Sequence, residues 1–259
     1  FPGRNVGSTS KPSGDYKLVI EGFDWGPAVN KVILSMGESV SSARPSDFVV
    51  FVSRKSDRGE IPAESASGNR TVVYAYVSGE NGERTENGNY VTLVLAVSPV
   101  QPIGSPIQYF RSNNQSGNVW IDYKLTIVNA ASGRVWDNEV GRMMPLVDQF
   151  ALDGKFTHSE SLTMSYASFT PKNVKEKTPL IIWLHGGGEG GTDPTIPLLG
   201  NRAANYASEE IQRFFGGGAY VLVPQCPGAW MHNSQGVITH GKENDIYNEG
   251  LMALINSYV

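Results

Sequence analysis

The stretch Leu180-Ile181-Ile182-Trp183-Leu184-His185-Gly186-Gly187-Gly188-Glu189-Gly190-Gly191-Thr192-Asp193 constrains the fold more than any other part of the chain. A short unbroken apolar run reads as a strand buried on both faces. Here it stops on a histidine followed by five glycines among six residues. Glycines let the backbone turn sharply and bring bare N–H groups close to whatever sits at the strand end. A main-chain N–H of Gly187 or Gly188, aimed at developing negative charge, would be one half of an oxyanion hole, the second donor coming from the residue after a nucleophile. The same glycines also match the G-x-G-x-x-G dinucleotide pattern. Against that reading, Asp193-Pro194 follows and a helix is expected only from about Asn201, so no helix N-terminus would face a pyrophosphate. No Lys-Ser or Lys-Thr follows either, which removes a P-loop. Glu189 and Asp193 read by default as charged residues of a solvated loop.

The chain before this stretch has a different period. Residues 1–15 are rich in Gly, Ser, Pro and Lys and are expected to be loose. From Tyr16 to about Ala130, β-rich runs cover 16–21, 29–36, 48–54, 71–77, 90–97 and 119–128, with a weaker one at 107–110. In the last strong run Val119, Ile121, Tyr123, Leu125 and Ile127 share one face, while Asp122, Lys124 and Thr126 take the other. About seven strands over roughly 115 residues point to an immunoglobulin-like sandwich, without the antibody-type cysteine pair. Trp25 and Trp120 read as core or sandwich-edge aromatics. Residues 131–160 are expected as a transition, with His158 exposed, and residues 161–259 as a second unit.

In that second unit, 162–169 alternates, 180–184 is the buried strand, 201–215 has helical spacing, 219–223 is a second buried strand, and 245–259 is an amphipathic helix with Asp245 or Asn244 as N-cap. Strand, helix, strand, helix implies a parallel sheet with flanking helices.

The length suits one and a half or two domains. A net charge of −4, with no basic patch, argues against nucleic-acid and anionic-membrane partners. No apolar run is long enough to cross a bilayer. The first residue is Phe1 rather than Met, which suits a mature secreted chain, so a secreted or extracellular location is expected. Asn69-Arg70-Thr71 and Asn114-Gln115-Ser116 fit the glycosylation acceptor pattern. The single Cys226 cannot form an internal disulfide and reads as a small buried thiol. His240, Glu243 and Asp245 have metal-capable side chains at a spacing that matches no common site, so no metal and no cofactor are expected.

Three stretches carry a family resemblance: 22–34 (GFDWGPAVNKVIL), 179–193, and Val221-Leu222-Val223-Pro224-Gln225-Cys226-Pro227. With them the chain resembles the N-terminal part of two-domain esterases, in which an immunoglobulin-like domain precedes an α/β-hydrolase domain. These are related to the feruloyl-esterase, polyhydroxyalkanoate-depolymerase and prolyl-oligopeptidase-like branch. The implied fold class is an all-β immunoglobulin-like sandwich (16–130) followed by the first half of an α/β-hydrolase (161–259). The implied activity is a serine carboxylic-ester hydrolase working through an acyl-enzyme.

In this fold the triad runs Ser, then Asp or Glu, then His, with the Ser on a Gly-x-Ser-x-Gly elbow. That pattern is absent from the sequence, and His232-Asn233-Ser234-Gln235-Gly236 lacks its first glycine and a preceding strand. The triad is therefore expected beyond residue 259. The site residues within the chain reduce to Gly187 and Gly188 as oxyanion donors, His185 and Gly186 as loop anchors, and Trp230 as a substrate wall or a packed loop aromatic. His185, His232 and His240 come too early in chain order to be the triad base. The expected partners are a small-molecule or polysaccharide-linked ester and the missing C-terminal half of the hydrolase domain, with a homo-oligomer as a further option. Two alternatives stand beside the esterase: a non-catalytic binding or assembly module built on the immunoglobulin-like domain, and a prolyl-oligopeptidase-like peptidase.

Overall fold

The computed structural model describes residues 12–112, 116–240 and 245–259. The Asn114 sequon, Asn244 and Glu243 fall outside these residues, as does most of the leading segment.

The first unit is built from ten strands: β1 (Gly14–Phe23), β2 (Gly26–Val40), β3 (Phe48–Lys55), β4 (Ser67–Arg70), β5 (Val72–Ser78), β6 (Gly88–Leu95), β7 (Ile107–Phe110), β8 (Gly117–Trp120), β9 (Asp122–Asn129) and β10 (Val135–Met143). A single turn, α1 (Ala63–Ala66), precedes β4. Eight of the strands form one hydrogen-bonded sheet in the order β4-β3-β9-β10-β1-β2-β6-β5, while β7 and β8 form a separate hairpin. The two edges of the large sheet are β4 and β5, and only Thr71 separates them in sequence. The chain therefore passes from one border of the sheet to the other at a single residue, although β4 and β5 are not hydrogen-bonded to each other as neighbouring strands.

Alternation supplies the filling. Tyr16, Leu18, Ile20, Val32, Leu34, Val50, Val52, Leu93, Tyr123, Leu125, Ile127 and Trp136 are all buried in one cluster. Two polar groups inside it are satisfied: the Tyr16 hydroxyl accepts from the Leu125 N–H at 3.0 Å, and Trp136 Nε1 donates to the Ser35 carbonyl at 2.8 Å. Burial pushes the Tyr16 hydroxyl up to about 12.

Two expectations for this unit change. The run 119–128 is not one strand. It divides at Ile121 into β8, which pairs with β7, and β9, which lies between β3 and β10. Residues 131–160 are no plain transition, because they hold β10, in the middle of the large sheet, and β11 (Ala151–Ser159). Each offers a weak apolar signal: β10 buries only Trp136, and β11 buries nothing fully.

The second unit has a four-stranded sheet in the order β11-β12-β14-β13, with β12 at Leu162–Phe169, β13 at Leu180–Ile182 and β14 at Tyr220–Gln225. β13 and β14 are parallel, pairing Ile181 with Val221; β12 is antiparallel to both β11 and β14. His158 lies in β11 and is exposed. The central strand of the sequence reading, 180–184, is an edge strand of three residues. With a neighbour on one side only, Ile182 and Leu184 stay 37% and 48% exposed.

The helix expected at 201–215 is broken up. A short α2 (Thr195–Gly200) comes earlier, Arg202 follows with a φ of 59°, and α3 (Glu209–Gln212) starts after Ser208, whose hydroxyl accepts from the Ile211 N–H. The last helix, α4 (Asn248–Tyr258), starts three residues later than expected. Asp245 is not its cap: its carboxylate accepts from the Thr239 hydroxyl and from Asn248 Nδ2.

α2 lies between the two units, against β1, β2 and β14. Its Ile196, Leu198 and Leu199 are buried in the same cluster as the sandwich core.

Candidate functional site: the glycine loop at the end of β13

The loop leaves β13 at Trp183, whose N–H still donates to the Leu222 carbonyl, and is then held by side chains. His185 is 4% exposed. Its Nε2 accepts from the Cys226 N–H at 3.0 Å, so the proton sits on Nδ1, which donates to the Gly186 carbonyl at 2.7 Å. Burial lowers the pKa of His185 and keeps the ring neutral. With both nitrogens engaged, the ring has no lone pair free to take a proton from a substrate.

Trp230 packs against this ring at a tilt of 39°, with centroids 5.1 Å apart, and donates its Nε1–H to the His185 carbonyl at 3.1 Å. It is a buttress of the loop. Behind it, Cys226 is fully buried and free, its thiol pushed up to about 12 by burial, and its carbonyl accepts from the Gly191 N–H at 2.8 Å.

Glu189 departs most from the sequence reading. It is 5% exposed, not a solvated rim charge. One carboxylate oxygen accepts from the Gly186 N–H at 2.8 Å, the other from Asn201 Nδ2 at 3.1 Å, and Gln225 Nε2 donates to the Glu189 carbonyl at 3.0 Å. Desolvation raises its pKa. The carboxylate is seated against Gly200, where a Cβ would strike it, which explains a glycine at the end of α2. Nothing in the spacing announces this role, because the partners Asn201 and Gln225 are remote in sequence.

Asp193 is also occupied. Its carboxylate accepts from the Thr195 N–H at 3.0 Å and from the Thr195 hydroxyl at 2.5 Å. A helix does begin soon after the glycines, at Thr195 rather than Asn201, but its first N–H, that of Thr195, is already taken by this carboxylate.

Between these anchors lie Gly187 and Gly188. Gly187 is exposed and Gly188 half-buried. Among the described residues neither N–H has a hydrogen-bond acceptor. The Gly188 carbonyl is pinned from the first unit: it accepts from the Asn118 N–H at 2.7 Å and from Asn118 Nδ2 at 3.3 Å. A cleft of about 250 Å³ adjoins Asn118, lined by Trp25, Pro27, Gln101, Tyr109, Asn118 and Ile196 among others. Two adjacent free N–H groups on a loop held at both ends can receive an oxyanion.

The other sequence candidates are not brought to this loop. Ser234 is exposed on a turn closed by a bridge between His232 and Ile238, with Asn233 Oδ1 accepting the N–H groups of Gln235 and Val237. His240 is exposed with a φ of 57°. Among the described residues no His, Cys, Asp or Glu group is arranged to hold a metal. Trp25 stacks on Phe23 at the turn between β1 and β2, and Trp120 Nε1 donates to the Thr195 hydroxyl at 2.9 Å.

No curated protein matches the chain. A solved structure described as a thermostable esterase matches with a TM-score of 0.73 and 21% identity, over 93% of this chain and 65% of that one. The chain thus spans somewhat under two thirds of that structure, and the likeness is one of fold. Residues 15–140 match the family described as the esterase Ig-like N-terminal domain. The first unit, as far as residue 140 in β10, therefore belongs to the Ig-like N-terminal domain family of esterases.

Proposed function

We propose that the parent protein is a secreted serine esterase acting on carboxylic esters, and that this chain carries its immunoglobulin-like domain, the first half of its α/β-hydrolase domain and one side of its oxyanion hole. The observation that carries this reading is the pair of unpartnered N–H groups of Gly187 and Gly188, at the carboxyl end of a parallel strand. Ligands of open α/β sheets bind at that end.

In the reaction, a serine hydroxyl adds to the ester carbonyl, and the carbonyl oxygen becomes an oxyanion that the Gly187 and Gly188 N–H groups stabilise. The alcohol then leaves, and water releases the acyl group. A correctly placed donor contributes about 2.7–4 kcal/mol to such a transition state. His185 and Glu189 hold the loop and take no proton. The nucleophile and its partners are assigned to chain beyond residue 259, added at the free edge of β13, where Ile182 and Leu184 are exposed.

The test uses full-length protein with a short-chain nitrophenyl ester and a serine-reactive fluorophosphonate. Turnover together with labelling of one serine is expected, and no labelling at any serine would refute the mechanism. Peptide substrates run in parallel separate an esterase from a prolyl-oligopeptidase-like enzyme.

A further inference from the structure

A run of glycines has more backbone freedom than any other sequence, so an oxyanion loop made of them must be held from outside. Within the second unit the holding stops short of the donors. His185 and Glu189 fix Gly186, and the Cys226 carbonyl fixes Gly191. Between them, the main-chain partner of the Gly187–Gly188 segment comes from the other domain, as Asn118 donating twice to the Gly188 carbonyl.

We propose that Asn118 is a positioning residue for ester hydrolysis, and that the β7–β8 hairpin of the immunoglobulin-like domain sets the direction of the Gly187 and Gly188 N–H groups. This rests on the esterase reading above. Because a peptide unit is planar, pinning the Gly188 carbonyl fixes the plane that follows it and turns the Glu189 N–H back toward the Gly186 carbonyl, 3.4 Å away. The loop backbone is then tied to the hairpin at Gly188, immediately beside the two N–H groups that have no acceptor among the described residues.

The hairpin is rigid enough for the task. The buried Arg54 donates through Nε to the Ser105 carbonyl at 3.0 Å and through Nη2 to Gln108 Oε1 at 3.1 Å and the Ile107 carbonyl at 3.4 Å, which anchors the start of β7. Trp120, at the end of β8, is tied to Thr195. The approach is close enough to demand a glycine, since a Cβ at Gly188 would stand 2.9 Å from the Tyr109 ring and 3.3 Å from Asn118 Nδ2.

The test uses the full-length enzyme with two variants. Asn118→Pro removes the main-chain donor and the side-chain amide together, after a glycine that tolerates a following proline. Asn118→Asp leaves the backbone intact and turns a carboxylate oxygen toward the Gly188 carbonyl. For Asn118→Pro, kcat on a nitrophenyl ester should fall about 10- to 100-fold, below the loss seen when a donor itself is removed. For Asn118→Asp the fall should be about 3- to 10-fold. In both, KM should stay within about twofold, and affinity for a trifluoromethyl ketone, whose adduct needs the same donors, should fall in step with kcat/KM.

A folded variant with wild-type kcat overturns the inference, and so does a fall in kcat with unchanged ketone affinity. If Asn118→Pro does not fold, Asn118→Asp decides alone. A wild-type enzyme without turnover overturns the esterase reading itself, whereas an active wild type beside unaffected variants overturns only the role of Asn118.

Discussion

The two larger sheets of this molecule treat their edges in opposite ways. The eight-stranded sheet brings β4 and β5 together across the single residue Thr71, so its borders are one continuous segment. The four-stranded sheet ends on β13, three residues long, with Ile182 and Leu184 facing outward. Borders joined by one residue are held together by the chain itself, while the free edge of β13 can take a further strand. The glycine loop takes its side-chain anchors from the second unit and its carbonyl clamp from the β7–β8 hairpin, which stands apart from the eight-stranded sheet.

The largest effect should come from the eight-stranded sheet. Trp136→Ala removes the largest fully buried side chain and should cost about 3–5 kcal/mol in urea unfolding. A loss under 1 kcal/mol would show that Trp136 does not anchor the packing of the eight-stranded sheet.

Gly188→Ala forces a methyl against Tyr109 and should reduce esterase turnover by about 10²-fold while the fold survives. Adding Tyr109→Ala should restore part of the activity, and no recovery at all would argue that the clamp geometry is misread.

His185→Ala strands the buried Cys226 N–H and should cost about 1–3 kcal/mol, measured by the same unfolding.

The pH profile sharpens the contrast further. Burial raises the pKa of Glu189, so the folded chain holds its proton more tightly than the unfolded chain. That contribution is complete below about pH 4.5 and is lost as pH rises through the raised value. Burial lowers the pKa of His185, so its contribution is present above about pH 6.5 and is lost as pH falls through the lowered value. Melting temperatures of wild type and Glu189→Gln should lie close together near pH 4 and separate as pH rises toward 8, wild type losing stability relative to the variant; parallel curves would contradict the seating of this carboxylate.

The smallest effect is expected for Trp230→Phe, which keeps the ring over His185 and loses one hydrogen bond, about 0.5–1.5 kcal/mol. A change in KM alone would instead give Trp230 a place against substrate.

Much of the eight-stranded sheet was legible because its strands announce themselves by alternation. Ile121, Tyr123, Leu125 and Ile127 are buried while Asp122 and Lys124 are exposed, as their spacing requires. Strand β10 escaped notice because Trp136 is its only buried side chain, and central position in a sheet leaves no mark when the outward faces are polar. In the second unit, His185 and the glycines were visible from composition, but the groups that hold them were not. Asn118 works largely through its main-chain N–H, which every residue except proline possesses. Glu189 looks in sequence like any loop carboxylate, and only Asn201 and Gln225, brought near by the fold, reveal that it is buried.

Helix α2 has a consequence for how heat or denaturant takes the molecule apart. Because Ile196, Leu198 and Leu199 lie in the same apolar cluster as Leu18, Val32 and Leu125, neither unit can lose its packing without exposing part of the other's. The boundary that sequence draws between the units is thus not a boundary for melting. The shared cluster couples the two units, and a cut made between them would bare Ile196, Leu198 and Leu199 or the residues they cover.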